Sequence, residues 1–103
     1  MTMSDVPYIL LVNARVKPEF LAQVLRAAAV TLAHTLKEPG CVAFYQTAHT
    51  QDPEHLCFFE YFASKAAHAE HLEKPYTKAF FELLTDKLVS PPDIQQLTPA
   101  HIM

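Results

Sequence analysis

The stretch Tyr8-Ile9-Leu10-Leu11-Val12-Asn13-Ala14-Arg15-Val16 decides how the rest of the chain is read. It is aromatic, β-branched and mostly apolar, as a buried strand should be. Strand alternation sends Tyr8, Leu10 and Val12 to one side and Ile9 and Leu11 to the other. Asn13 and Arg15 share the side of Ile9 and Leu11. Both sides are therefore apolar, and both need cover.

Working outward, Lys17-Pro18-Glu19 ends the strand and opens a helix. Pro18 suits the first helical turn, where its missing N–H costs nothing, and Glu19 faces the positive end of the helix dipole. Phe20, Leu21, Val24, Leu25, Ala28, Leu32 and Leu36 follow at three-to-four spacing and make one apolar face. Glu38-Pro39-Gly40 stops the helix, because a residue before proline avoids the α region and Gly40 can take positive φ. Cys41 to His49 and Leu56 to Phe62 read as two strands of an antiparallel hairpin, joined by the polar segment Thr50 to Glu54. Ser64 is placed to cap a short helix from Lys65 to about Glu73. Pro75 breaks it, and Tyr76, Ala79, Phe80, Leu83, Leu84 and Leu88 mark a further amphipathic helix. Ser90-Pro91-Pro92 is a linker, and Asp93 to Thr98 a last, short edge strand. Residues 1–103 read as a single domain, with 1–7 and 99–103 as tails.

The order is β-α-β-β-α-β, the ferredoxin-like α+β pattern with an antiparallel sheet. Its helices can cover only one face of a four-stranded sheet. In the third strand, Leu56, Phe58 and Phe62 oppose Cys57, Phe59 and Tyr61, so the uncovered face is again apolar. A face that large is not left in water. The simplest cover is a second copy of the sheet, which predicts a two-fold homodimer.

The 103 residues fit one domain, and 50% hydrophobic with 18% charged residues is a globular composition. The formal net charge is −3 and no basic stripe interleaves with aromatics, so no nucleic acid is expected as a partner. No apolar run approaches a membrane span. Met1 to Pro7 lacks the basic and apolar regions of a signal peptide, which predicts a cytoplasmic protein. Cys41 and Cys57 have neither Cys-x-x-Cys nor metal-type spacing, and read as small apolar residues without a disulfide.

The polar residues that interrupt the apolar strands are the candidates for chemistry. Glu60 sits amid Phe58, Phe59, Tyr61 and Phe62, where a carboxylate must be paired, hydrogen-bonded or neutralised. A structural pair with Arg15 is one reading and a functional group the other. His68 and His71 are three apart and share a helix face. No constellation of carboxylate and His completes a metal site around them, so no metal is expected. A general base or a hydrogen-bond donor to substrate suits a single His better. Tyr76 and Tyr45 either line a pocket or fill the core. Gly40 is the only glycine, so there is no phosphate-binding loop, and neither G-x-S-x-G nor a cysteine nucleophile with a matched base is present.

Two segments resemble the antibiotic biosynthesis monooxygenase (ABM) family. Lys37-Glu38-Pro39-Gly40-Cys41 is similar to the K-E-x-G-C stretch before the second strand of that family. Phe59-Glu60-Tyr61-Phe62-Ala63-Ser64, then His71-Leu72, Pro75-Tyr76 and Lys78-Ala79-Phe80, resembles its E-x-W-x-S…H-L-x-x-P-H-x-K-A-Y signature. The resemblance implies a ferredoxin-like dimer whose sheets form an α/β-barrel, with a hydrophobic pocket between sheet and helices in each subunit. It implies oxidation of a small aromatic or quinol-like substrate with O2 and with no cofactor. Glu60 and His71 match the quinol-oxidising branch and also the branch that isomerises a phosphorylated quorum signal. Phe62 stands where a tryptophan is frequent. The polar set of the polyketide-oxidising branch falls on Phe58, Phe62, His68 and about Phe81, and is missing. The haem-degrading positions fall near Leu11, His71 and Phe81, without an iron ligand.

The expected assignment is then His71 as base or proton shuttle and Glu60 as an orienting catalytic group. Asn13, Arg15, Phe62, His68 and Tyr76 are expected to contact substrate. The rival readings are an isomerase or other non-redox enzyme in the same pocket, and an aromatic-ligand-binding dimer without turnover.

Overall fold

The computed structural model describes residues 6–101. The outer parts of the two expected tails lie outside the described residues. The element order is β1 (Tyr8–Arg15), a short 3-10 turn (Pro18–Phe20), α1 (Leu21–Thr35), β2 (Cys41–His49), β3 (Asp52–Phe62), α2 (Lys65–Glu73), α3 (Pro75–Leu84) and β4 (Asp93–Leu97). The four strands form one antiparallel sheet in the order β2-β3-β1-β4. This is the α+β, ferredoxin-like arrangement, with β4 at the edge beside β1.

Each boundary has a local cause. Pro18 sits in the first turn of its helix, and Ser64 caps α2 by accepting a hydrogen bond from the Ala67 N–H at 3.1 Å. Lys74, just before Pro75, is extended (ψ 139°), and this splits α2 from α3. The hairpin differs from expectation. β3 begins at Asp52 rather than Leu56, so Pro53 and Glu54 belong to the strand. A register shift between Ala48 and His49 absorbs the proline, which is tolerated at such irregularities.

Gly40 also departs from its expected role. It does not have positive φ. A Cβ there would collide with the Ala67 side chain of α2. The glycine is needed for close approach, and it brings the loop after α1 against α2.

The helices pack on the face carrying Leu10, Val12, Glu60 and Phe58. The core lies beneath them, built on Val16, Val24, Ala28, Leu56 and Phe80. The face carrying Leu11, Phe59 and Tyr61 has no described helix over it, and Tyr45 on that side is 62% exposed. Among the described residues, no helix is long and apolar enough to cross a membrane. Cys41 and Cys57 are both free thiols.

Candidate functional site

A cavity of about 560 Å³ lies between the sheet and the helices. The strands supply its floor by alternation: Leu10, Val12 and Ala14 from β1, Leu56, Phe58 and Glu60 from β3, Phe44 and Gln46 from β2. The helices roof it, with His68 and His71 from α2 and Phe80, Phe81 and Leu84 from α3. Its size and apolar wall are those of a small-molecule site.

Glu60 is the one carboxylate in that wall. The register sets it opposite Leu10 on one side and Phe44 on the other. Burial against these apolar neighbours pushes its carboxyl up to about 7. No described residue pairs with it. The expected pair with Arg15 does not form, because Arg15 points to the other face and meets Asp52 at 2.6 Å.

Glu60 should therefore weaken the fold as pH rises. Below its ordinary value of 4.5, both folded and unfolded chains hold the proton. Between there and about 7 the unfolded chain ionises first, so stability falls with pH and then levels. The full effect is about 3 kcal/mol. Urea unfolding of Glu60→Gln against the native chain should show the variant gaining by about that amount between about pH 4 and about pH 8. A pH-independent difference would mean that Glu60 is ionised in the fold.

His71 is 4% exposed and lines the same cavity as Glu60, its ring 5.0 Å from Phe62 and 6.1 Å from Phe44. Its Nδ1 meets Glu38 Oε2 at 2.9 Å. The two side chains are 6% and 8% exposed, so this is a buried pair. A carboxylate only accepts, so Nδ1 carries the proton and Nε2 is left as the basic nitrogen. The Tyr76 hydroxyl donates to the same Glu38 oxygen. Burial and the adjacent Glu38 carboxylate push the Tyr76 phenol well above its usual range, so it stays a donor. The Tyr76 ring stacks on His34, with centroids 4.9 Å apart. The arrangement is a histidine whose tautomer is set by a buried carboxylate, itself held by a tyrosine.

Glu38 was not among the candidates, because its place before Pro39-Gly40 explained it as a helix stop. The signal that it has another partner is electrostatic. A carboxylate just beyond the C-terminus of α1 sits at the wrong end of the helix dipole. Gly40 and Glu38 both reach α2, one by close approach and the other by hydrogen bond.

The other candidates divide. His68 lines the cavity between Tyr8, tilted against it at 4.9 Å, and Phe62, which it meets edge-on at 5.2 Å. Burial, and then its neighbour His71, push it toward the neutral form. Phe62 is fully buried behind the two histidines and is not in the cavity wall. Tyr76 stands behind the wall and acts through Glu38. Asn13 and Arg15 lie on the opposite sheet face, since odd positions of β1 point away from the helices. There Asn13 Oδ1 meets His55 Nε2 at 3.1 Å. Gln46 and Thr77, both in the wall, had drawn no attention in the sequence. Gln46 Nε2 donates to the Ala28 carbonyl at 2.9 Å, and Thr77 Oγ1 is buried without a partner among the described residues. Among the described residues, no three His, Cys, Asp or Glu side chains converge as metal ligands would.

Known proteins share this fold. The chain is 29% identical over 93 residues to an uncharacterized protein of Synechocystis sp., covering 89% of this chain and 63% of that protein, so it spans less than two thirds of that relative's length. A conserved protein of Methanosarcina mazei Go1 superposes with a TM-score of 0.85 at 23% identity, over 93% of this chain and 95% of that one. A protein of Nitrosomonas europaea, provisionally named an antibiotic biosynthesis monooxygenase, superposes at 0.88 with 18% identity, over 98% and 97%. Identities this low carry the fold alone. The family assignment rests on sequence: the model of one family matches residues 7–83, from the start of β1 almost to the end of α3, and so takes in Glu38, Glu60 and His71 together. By that match the chain belongs to the antibiotic biosynthesis monooxygenase family.

Proposed function

We propose that the protein is a cofactor-independent monooxygenase that oxidises a small aromatic or quinol-like substrate with O2. The observation that carries this reading is the buried Glu38–His71 pair, which leaves a basic Nε2 at one end of a largely apolar cavity. His71 takes the proton of a phenolic hydroxyl, and Glu38 steadies the imidazolium that results. The phenolate is rich enough in electrons to pass one to O2. One oxygen atom then joins a ring carbon and the other leaves as water. The substrate provides all the electrons, as in the conversion of 1,4-naphthohydroquinone and O2 to 2-hydroxy-1,4-naphthoquinone and water. The dry wall strengthens each electrostatic contact. Neutral His68 and a protonated Glu60 can both donate to developing negative charge.

The same reading makes the chain a two-fold homodimer through the Leu11, Phe59 and Tyr61 face, and a protein of the cytoplasm. Its test is O2 uptake with 1,4-naphthohydroquinone. The native chain should consume O2 and form the hydroxyquinone faster than the uncatalysed control, His101→Ala should match it, and His71→Ala should lose about 10²–10⁴-fold. Equal rates in native and His71→Ala proteins would sink the assignment of the base. Conversion of a substrate to an isomer of unchanged formula under nitrogen would favour the isomerase reading.

A further inference from the structure

The ionisable groups of the cavity wall are segregated along the strands. Glu60, His68 and His71 gather at one end, in the rows of Phe44 and Phe62. Four residues along β3 from Glu60 stands Leu56, paired in register with Ala14. At two residues per pleat this end is roughly 13 Å from the first. Val16, Val24, Leu84 and Leu88 line it, with Thr85 beside Leu84, so this end offers no charged side chain. A bare phenol or quinol ring held at His71 leaves that end empty, and a dry apolar void of this size forfeits the contacts of its lining.

We infer that the occupant is amphipathic: a phenolic or quinol head at Glu60, His68 and His71, carrying an aliphatic group that runs along the sheet to Leu56 and Leu84. The inference rests on the reading of the polar end as the reacting end. The rim agrees with an apolar visitor. Leu72 and Phe81 border the cavity and are 37% and 53% exposed, so the entrance itself is greasy. The head needs hydrogen-bond partners, and the tail needs only volume. Strand alternation supplies both from one sheet face: its one carboxylate, Glu60, lies at one end, and the Gln46 amide farther along already donates to the Ala28 carbonyl.

Binding without turnover separates this inference from the oxygenase reading. Phenol, 4-propylphenol, 4-pentylphenol and 4-heptylphenol are titrated into the full chain under nitrogen by calorimetry. Affinity should rise about fourfold per added methylene until the cavity is filled, at one ligand per chain. Ala14→Leu places bulk at the apolar end and should reduce the ratio of 4-heptylphenol to phenol affinity about tenfold or more. Leu84→Phe serves the same purpose if the strand variant does not fold. A flat series, or a chain-length gain that neither variant changes, would overturn the inference. A full gain with no O2 uptake would remove the oxygenase and leave the shape of the ligand standing.

Discussion

Glu38→Gln is expected to lower kcat/KM for a quinol substrate by about 10²–10⁴-fold while the chain keeps its fold. The amide is nearly isosteric with the carboxylate, so packing between the loop after α1 and the helix α2 changes little. Its chemistry differs at the atom that matters. Glu38 Oε2 now accepts from both His71 Nδ1 and the Tyr76 hydroxyl. Both donors meet one atom, so the amide either places its uncharged oxygen there or turns its NH2 toward two donors. If the NH2 faces His71, Nδ1 must accept and the ring proton moves to Nε2, which removes the base. If the oxygen faces His71 instead, the imidazolium still loses its negative partner in a buried site. Tyr76→Phe removes one of two donors to the oxygen and should cost less than about tenfold. A Glu38→Gln loss no larger than that of Tyr76→Phe, at unchanged KM, would show that the carboxylate merely buttresses the loop.

The largest stability effect is expected at Phe62. Phe62→Ala should cost about 3–5 kcal/mol, read as a lower urea midpoint with an unchanged slope. The side chain is fully buried and carries His68, His71 and Phe44 on its faces and edge. Its removal leaves a hole beneath the two histidines that the β3 backbone cannot collapse into. Phe62→Leu, which keeps much of the volume, should cost far less and leave KM nearly unchanged. The sequence had suggested Phe62 as a substrate contact, and the two variants separate the readings. A small loss of stability with a large rise in KM would return it to the binding surface.

Much of the fold was legible because it is written locally. The alternation of Tyr8 to Val16 and Leu56 to Phe62 shows in the backbone as two apolar faces, with Asn13 and Arg15 on the side the period assigned them. Pro18, Ser64 and Pro75 begin or break helices where their chemistry requires. The start of β3 was misplaced because Asp52-Pro53 has turn composition, and only the register of the neighbouring strand allows a proline there.

The site was legible in part. Glu60 and His71 stood out because a carboxylate and an imidazole in apolar surroundings need an explanation, and both line the cavity. Asn13 and Arg15 were joined to them by residue type, against the face their own strand period gave.

What the sequence by itself determined is the order of elements, the face on which each strand residue lies, and the presence of buried ionisable groups. Each follows from steric and solvation preferences acting over a few neighbouring residues. Only the tertiary structure decided that Glu38 belongs with His71, 33 positions away. That contact depends on a loop without a Cβ at Gly40 settling against Ala67, on a kink before Pro75 that aims Tyr76 back at Glu38, and on packing that buries the Glu38 and His71 side chains. The buried hydrogen bond is strong only in that dry setting, and chain folding brings its partners together through contacts that no local pattern encodes.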